Sequence, residues 1–92
     1  MAIALVFADD HAVTRAGIRA ILSTAPDIQI LGEAENGNDV MELVFQLRPQ
    51  LLLLDLKMPR LSSVQVEQWV RTHCSTCTLV LTAHDHDAYL SA

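Results

Sequence analysis

The chain has 92 residues, enough for one domain, and its composition (51% hydrophobic, 18% charged) is typical of a globular protein. Eleven acidic and six basic residues give a net charge of −5, which disfavours direct contact with nucleic acid. Two cysteines are too few for a disulfide scaffold, and no apolar stretch approaches the ~20 residues that span a membrane. The N-terminus has no features of a secretory signal, so we expect a soluble, cytoplasmic protein without membrane contact.

The first half of the chain alternates strand-like and helix-like patterns. A continuous apolar run from Ile3 to Ala8 predicts a buried strand, and apolar residues at helical spacing from Val13 to Ile21 predict a helix. Residues 28–33 predict a second strand. The following turn ends at Asn38, the candidate cap of a second helix, whose apolar stripe lies in residues 40–47.

The second half repeats this alternation. Four leucines at positions 51–54 predict a strand buried on both faces, and a helical stripe runs from Val66 to His73. A further strand is predicted over Thr78 to Ala83, and a last helix is predicted to begin near Asp85 or Asp87. Strict alternation indicates an α/β fold, a doubly wound parallel sheet with helices on both faces. We expect the flavodoxin-like strand order 2-1-3-4.

Polar side chains follow the predicted strands where ligands bind in such sheets, at their carboxyl ends. Asp9 and Asp10 follow the first strand, Asp55 follows the third, and Thr82 ends the fourth. Clustered carboxylates are tolerated where a cation neutralises them, and oxygen ligands suit Mg²⁺. The sequence therefore predicts a magnesium site, with the Thr82 hydroxyl near a bound phosphoryl group. The structural alternative for Asp9 and Asp10 is an ordinary acidic helix N-terminus.

Four segments, in this order and at this spacing, resemble those of a known family: Phe7-Ala8-Asp9-Asp10-His11, Arg15-Ala16-Gly17-Ile18-Arg19, Asp55-Leu56-Lys57-Met58-Pro59 and Leu81-Thr82-Ala83-His84-Asp85. With them the chain resembles a bacterial two-component response-regulator receiver domain of the CheY-like fold. The subgroup it resembles is usually followed by a LuxR-type helix-turn-helix domain. The resemblance covers essentially the whole chain, so we expect residues 1–92 to form one receiver domain.

The resemblance implies a role for each matching residue. Asp55 is implied to be the phosphoacceptor, which takes a phosphoryl group from a sensor histidine kinase. Asp9, Asp10, Asp55 and the backbone carbonyl of Lys57 are implied to hold Mg²⁺, and the Thr82 hydroxyl is implied to bind a phosphoryl oxygen. The family is one of signalling receivers rather than enzymes with an external substrate, and it contacts DNA only through a separate output domain.

The sequence departs from the family towards its C-terminus. The only lysine is Lys57, so the lysine of the family's fifth strand is missing, as are that strand and the fifth helix. We therefore expect an incomplete receiver that self-associates through its fourth-strand edge, Thr78–Thr82, or through the first helix around Val13. The alternative to self-association is that residues following Ala92 cover these surfaces. The alternative is a receiver-like dimerisation or interaction module that phosphorylation does not switch. We interpret His11 as a helix-surface or half-buried histidine rather than as a ligand.

A nucleotide-binding α/β enzyme is a third class of function. It is disfavoured because no glycine-rich turn follows the first strand.

Overall fold

The computed structural model describes residues 2–55 and 63–81. Strands and helices alternate along the chain, as β1 (Ile3–Ala8), α1 (Ala12–Leu22), β2 (Ile28–Ala34), α2 (Gly37–Leu47), β3 (Leu51–Asp55), α3 (Ser63–His73) and β4 (Cys77–Leu81). The predicted last helix lies outside the described residues, as do Lys57 and Thr82. None of the helices in the described ranges is long and apolar enough to cross a bilayer.

The four strands form one parallel sheet in the order β2-β1-β3-β4, which confirms the predicted fold class. Connections between parallel strands are almost always right-handed. Across the sheet, the chain crosses in one direction from β1 to β2 and in the opposite direction from β2 to β3 and from β3 to β4. As a result, α1 covers one face of the sheet, while α2 and α3 cover the other. The pairing of β1 with β2 contains an irregularity: Leu5 pairs with Ile30, but Val6 pairs with Gly32, so β2 carries one extra residue.

The main hydrophobic cluster lies between the sheet and the pair α2 and α3. Because side chains alternate between the faces of a strand, every second residue of β1 and β3 points into this layer. Its fully buried members are Val6, Leu52 and Leu54 from the sheet, Val40 and Val44 from α2, and Val66 and Val70 from α3. In β3 the other two leucines are half-buried, so the predicted burial on both faces is only partly met.

Helix α1 lies on the sheet through its arginine-bearing side. Arg15 and Ile18 are half-buried, whereas Val13 is 86% exposed and Ile21 is 71% exposed. The apolar residues whose spacing predicts this helix, from Val13 to Ile21, therefore lie on its exposed side within the described part of the chain.

Helix α2 is capped by Asn36 and not by Asn38, so the predicted cap was wrong. Asn36 has an extended backbone, and its side-chain oxygen accepts a hydrogen bond of 3.0 Å from the backbone N–H of Asp39. Asn38 already lies within the helix. Both asparagines flank the same glycine, and only the backbone geometry distinguishes them. The helix ends at Arg48, whose φ of 48° is in the left-handed region, just before Pro49.

Candidate functional site

Three carboxylates meet at the carboxyl edge of the sheet. Asp9 and Asp10 follow β1, and Asp55 ends β3. Because Ala8 pairs with Leu54 on the adjacent strand, the next residues, Asp9 and Asp55, lie side by side. Asp9 is 4% exposed and Asp55 is 7% exposed. Together with His11, the three carboxylates each place a potential ligand atom within 4.8 Å of the others. The predicted convergence is thus present, and the chemical role of these residues stays a prediction.

The donor set fits a hard divalent cation. Burial and mutual repulsion both disfavour neighbouring carboxylates in their charged form, and a bound cation offsets both costs. Asp10 Oδ1 is buried, and no described residue donates a directed hydrogen bond to it. An oxygen of this kind, beside two other carboxylates, is suited to coordinate Mg²⁺.

Asp9 is held in place by three contacts with its neighbours. Its Oδ1 accepts a hydrogen bond of 2.8 Å from the backbone N–H of His11. Its carbonyl accepts one of 2.7 Å from Arg15 Nη1, and its N–H donates to the carbonyl of Ala34 at 3.0 Å. These bonds fix the start of α1 relative to β1 and β2, and so they limit the positions that the Asp9 carboxylate can take.

An ion-pair network joins α1 to β2 beside the carboxylates. Arg19 donates two hydrogen bonds to Glu33, of 2.6 and 2.7 Å, and Arg15 Nε lies 3.6 Å from Glu33 Oε1. The hydrogen bonds from Arg19 lower the pKa of Glu33; burial opposes this effect, while the charges of Arg19 and Arg15 add to it. The same hydrogen bonds raise the pKa of Arg19. The sequence places Glu33 at the end of a strand, but it does not predict this pairing.

His11 is both a surface residue and a neighbour of the acidic cluster. Its side chain is 70% exposed, in agreement with the interpretation from the sequence. Even so, its Nδ1 atom lies 2.8 Å from Asp10 Oδ1 and 3.4 Å from Asp9 Oδ1. The shorter contact has the length of an ion pair but lacks the direction of a hydrogen bond. The available signal was the position of His11, directly after the two aspartates.

Comparisons with known proteins agree with this fold. Residues 5–92 match the family model described as the response regulator receiver domain. The chain is 30% identical over 90 residues to the transcriptional regulatory protein DegU of Brevibacillus brevis, covering 97% of this chain and 38% of that protein. It is 36% identical over 81 residues to the response regulator protein VraR of Staphylococcus saprophyticus, covering 88% of this chain and 39% of that protein.

Among solved structures, the signal receiver domain of NarL from Mycobacterium tuberculosis superposes with a TM-score of 0.88 and 33% identity. The match covers 98% of this chain and 73% of that one. The chain thus spans about two fifths of the length of its curated relatives and most of an isolated receiver. On this evidence, the chain belongs to the response regulator receiver domain family.

Proposed function

We propose that this receiver is a phosphorylation switch: Asp55 accepts a phosphoryl group from a sensor histidine kinase, with Mg²⁺, and thereby controls an output module. The observation that carries the proposal is the buried Asp55 carboxylate, grouped with Asp9 and Asp10 at one edge of the sheet. Receiver domains are signalling proteins, and the proposal includes no external substrate for turnover. We place its action in the cytoplasm.

Phosphoryl transfer depends on the position of the nucleophile and on charge neutralisation. Asp9, Asp10 and Asp55, with the backbone carbonyl of Lys57, would hold Mg²⁺, which neutralises charge on the phosphoryl oxygens when bound. An Asp55 oxygen bonds to phosphorus as the phosphorus–nitrogen bond of the kinase phosphohistidine breaks, and the electron pair of that bond stays on the imidazole. The proposed role of Thr82 is to donate a hydrogen bond to a phosphoryl oxygen.

The proposed output is transcriptional. DegU, of which this chain covers 38%, is named a transcriptional regulatory protein. The net charge of −5 disfavours DNA contact by the receiver itself, so DNA binding is assigned to a separate output domain. In this scheme phosphorylation changes the surface that the receiver presents to that domain.

Self-association is a further part of the proposal. Val13 of α1 is 86% exposed, and Leu79 and Val80 of β4 are 51% and 42% exposed. Exposed apolar side chains on a helix and on a strand favour burial against a second copy. Sedimentation over a range of concentrations tests this, and a monomer at every concentration would contradict it.

The test of the switch is chemical labelling of the chain. Incubation with acetyl phosphate and Mg²⁺ should add one hydroxylamine-sensitive phosphoryl group, detected by intact mass. Asp55→Asn should abolish the label, whereas Asp27→Asn, at an exposed position outside the cluster, should retain it. A label that survives in the folded Asp55→Asn variant contradicts the assignment. A folded chain that labels at no position favours the non-switching interaction module.

A further inference from the structure

The side chain of His11 belongs to the cation site geometrically, although an acidic magnesium site needs no histidine. Its backbone adopts an extended conformation at the N-cap of α1, and its N–H is bonded to Asp9 Oδ1 at 2.8 Å. This bond keeps the residue beside the carboxylates. Within the described residues the ring makes no capping hydrogen bond to the helix, so helix capping does not explain its position.

The distances around Nδ1 match those between neighbouring ligands of a single ion. Metal–ligand bonds of 2.0–2.1 Å place adjacent ligands of an octahedral ion roughly 3 Å apart and opposite ligands roughly 4 Å apart. Nδ1 lies 2.8 Å from Asp10 Oδ1 and 3.4 Å from Asp9 Oδ1, and all four residues of the cluster have ligand atoms within 4.8 Å of one another. A single cation can therefore contact His11 and the carboxylates together.

Asp10 Oδ1 provides a second observation. This oxygen is buried and accepts no directed hydrogen bond from a described residue, yet it lies 2.8 Å from Nδ1. When Nδ1 is unprotonated, both atoms carry lone pairs, and a cation shared between them accounts for this short separation. Nearby, Arg15 directs Nη1 to the Asp9 carbonyl, with its other nitrogens near Glu33 and Glu35.

We propose that Nδ1 of His11 is an additional protein ligand of the divalent cation, in a site of oxygen ligands and one imidazole nitrogen that favours Mn²⁺ over Mg²⁺. This inference rests on the proposed function, because it concerns the same cation. Imidazole binds first-row transition metals well, whereas Mg²⁺ prefers oxygen ligands. The histidine therefore biases the choice of metal without removing the oxygen ligands that Mg²⁺ uses.

The test measures binding of the metal alone to the chain at about pH 8, above the usual histidine pKa. Calorimetric titrations with MnCl₂ and MgCl₂ give the two affinities, and pulsed electron paramagnetic resonance of bound Mn²⁺ detects coordinated nitrogen. His11→Ala should lower the affinity for Mn²⁺ about tenfold or more, change that for Mg²⁺ less than about threefold, and abolish the strong nitrogen coupling. His73→Ala is the matched control, because His73 stacks on Trp69 in α3, and this variant should leave all three readouts unchanged.

The possible outcomes separate this inference from the function on which it rests. If Mn²⁺ binds the wild type without nitrogen coupling, and His11→Ala changes neither affinity, the inference is overturned. The acidic site then stands as long as Asp10→Asn still weakens binding. If Asp10→Asn leaves binding of both metals intact, the cation lies elsewhere, and both the inference and the proposed magnesium site fail. Circular dichroism of each variant shows that it is folded.

Discussion

In the absence of a divalent cation, Asp10→Asn should be more stable than the wild type. When a divalent cation is present, this difference in stability should shrink or reverse. At 4.8 Å, the limit on the separation of ligand atoms in the cluster, two unit charges repel by about 0.9 kcal/mol in water and by about 3.5 kcal/mol at an effective dielectric constant of 20. Asp10 faces two other carboxylates. Because the Asp10 side chain is 26% exposed, its repulsion from each of these carboxylates lies in the lower part of that range. Asp10→Asn should therefore raise the free energy of unfolding by about 1–3 kcal/mol in EDTA.

Magnesium should reduce or reverse this difference. A ligand that binds only the folded state stabilises it by RT ln(1 + [L]/Kd), which is about 2.7 kcal/mol at a concentration of one hundred times Kd. The wild type receives this stabilisation in full, while the variant, with one carboxylate fewer, binds Mg²⁺ more weakly. The wild type is thus less stable than the variant without the cation, as is expected where like charges are clustered to bind a ligand.

The assay is urea unfolding at about pH 8, followed by Trp69 fluorescence and circular dichroism, in EDTA and then in saturating Mg²⁺. Asp27→Asn serves as the control, because this exposed aspartate lies outside the cluster; its stability should match that of the wild type in both solutions. If Asp10→Asn is less stable than the wild type in EDTA, repulsion does not dominate this cluster. If Mg²⁺ stabilises both proteins equally, Asp10 is not a ligand.

Three further predictions concern the framework that positions the site, and urea unfolding measures each of them. Leu52→Ala should lower the free energy of unfolding by about 3 kcal/mol, because it leaves a cavity at a fully buried position. The control Leu79→Ala, at a 51% exposed position, should cost less than about 1 kcal/mol, and equal costs would contradict the described core. Asn36→Ala should cost about 1 kcal/mol through loss of the cap, while a comparable loss for Asn38→Ala would restore the cap predicted from the sequence. Because the fold lowers the pKa of Glu33, its ionised form adds stability that is fully present above pH 4.5 and is lost as the pH falls through the folded-state pKa. Glu33→Gln should therefore be less stable than the wild type at about pH 7, and the two stabilities should converge in acid. A difference in stability that stays constant with pH would contradict the ion pair.

Features that depend on local periodicity could be predicted from the sequence. The apolar run before Asp9 and the leucines before Asp55 predict two parallel strands, and the carboxyl ends of neighbouring parallel strands share one edge of the sheet. The convergence of these aspartates follows from strand order alone. The helices were found in the same way, because their apolar spacing is regular.

Features that depend on how the elements pack could not be predicted in this way. The bond between Arg19 and Glu33 requires α1 to lie across β2 at one angle, and no periodicity encodes that angle. The exposure of Val13 likewise depends on which side of α1 meets the sheet. The contact of His11 with Asp10 depends on the extended backbone at the start of α1, a conformation that many residues can adopt.

The extra residue in β2 affects how this sheet can meet other molecules. In the sheet formed by residues 2–55 and 63–81, β2 is an outer strand, and its outer side presents backbone groups to which the strand of another chain could bond. The irregularity between Ile30 and Gly32 breaks the even spacing that such a bonded strand requires, and the charged Glu33 follows immediately. Edge-to-edge growth of the sheet into fibres is thereby disfavoured on this side. The extra residue of β2 therefore protects this side of the sheet against aggregation.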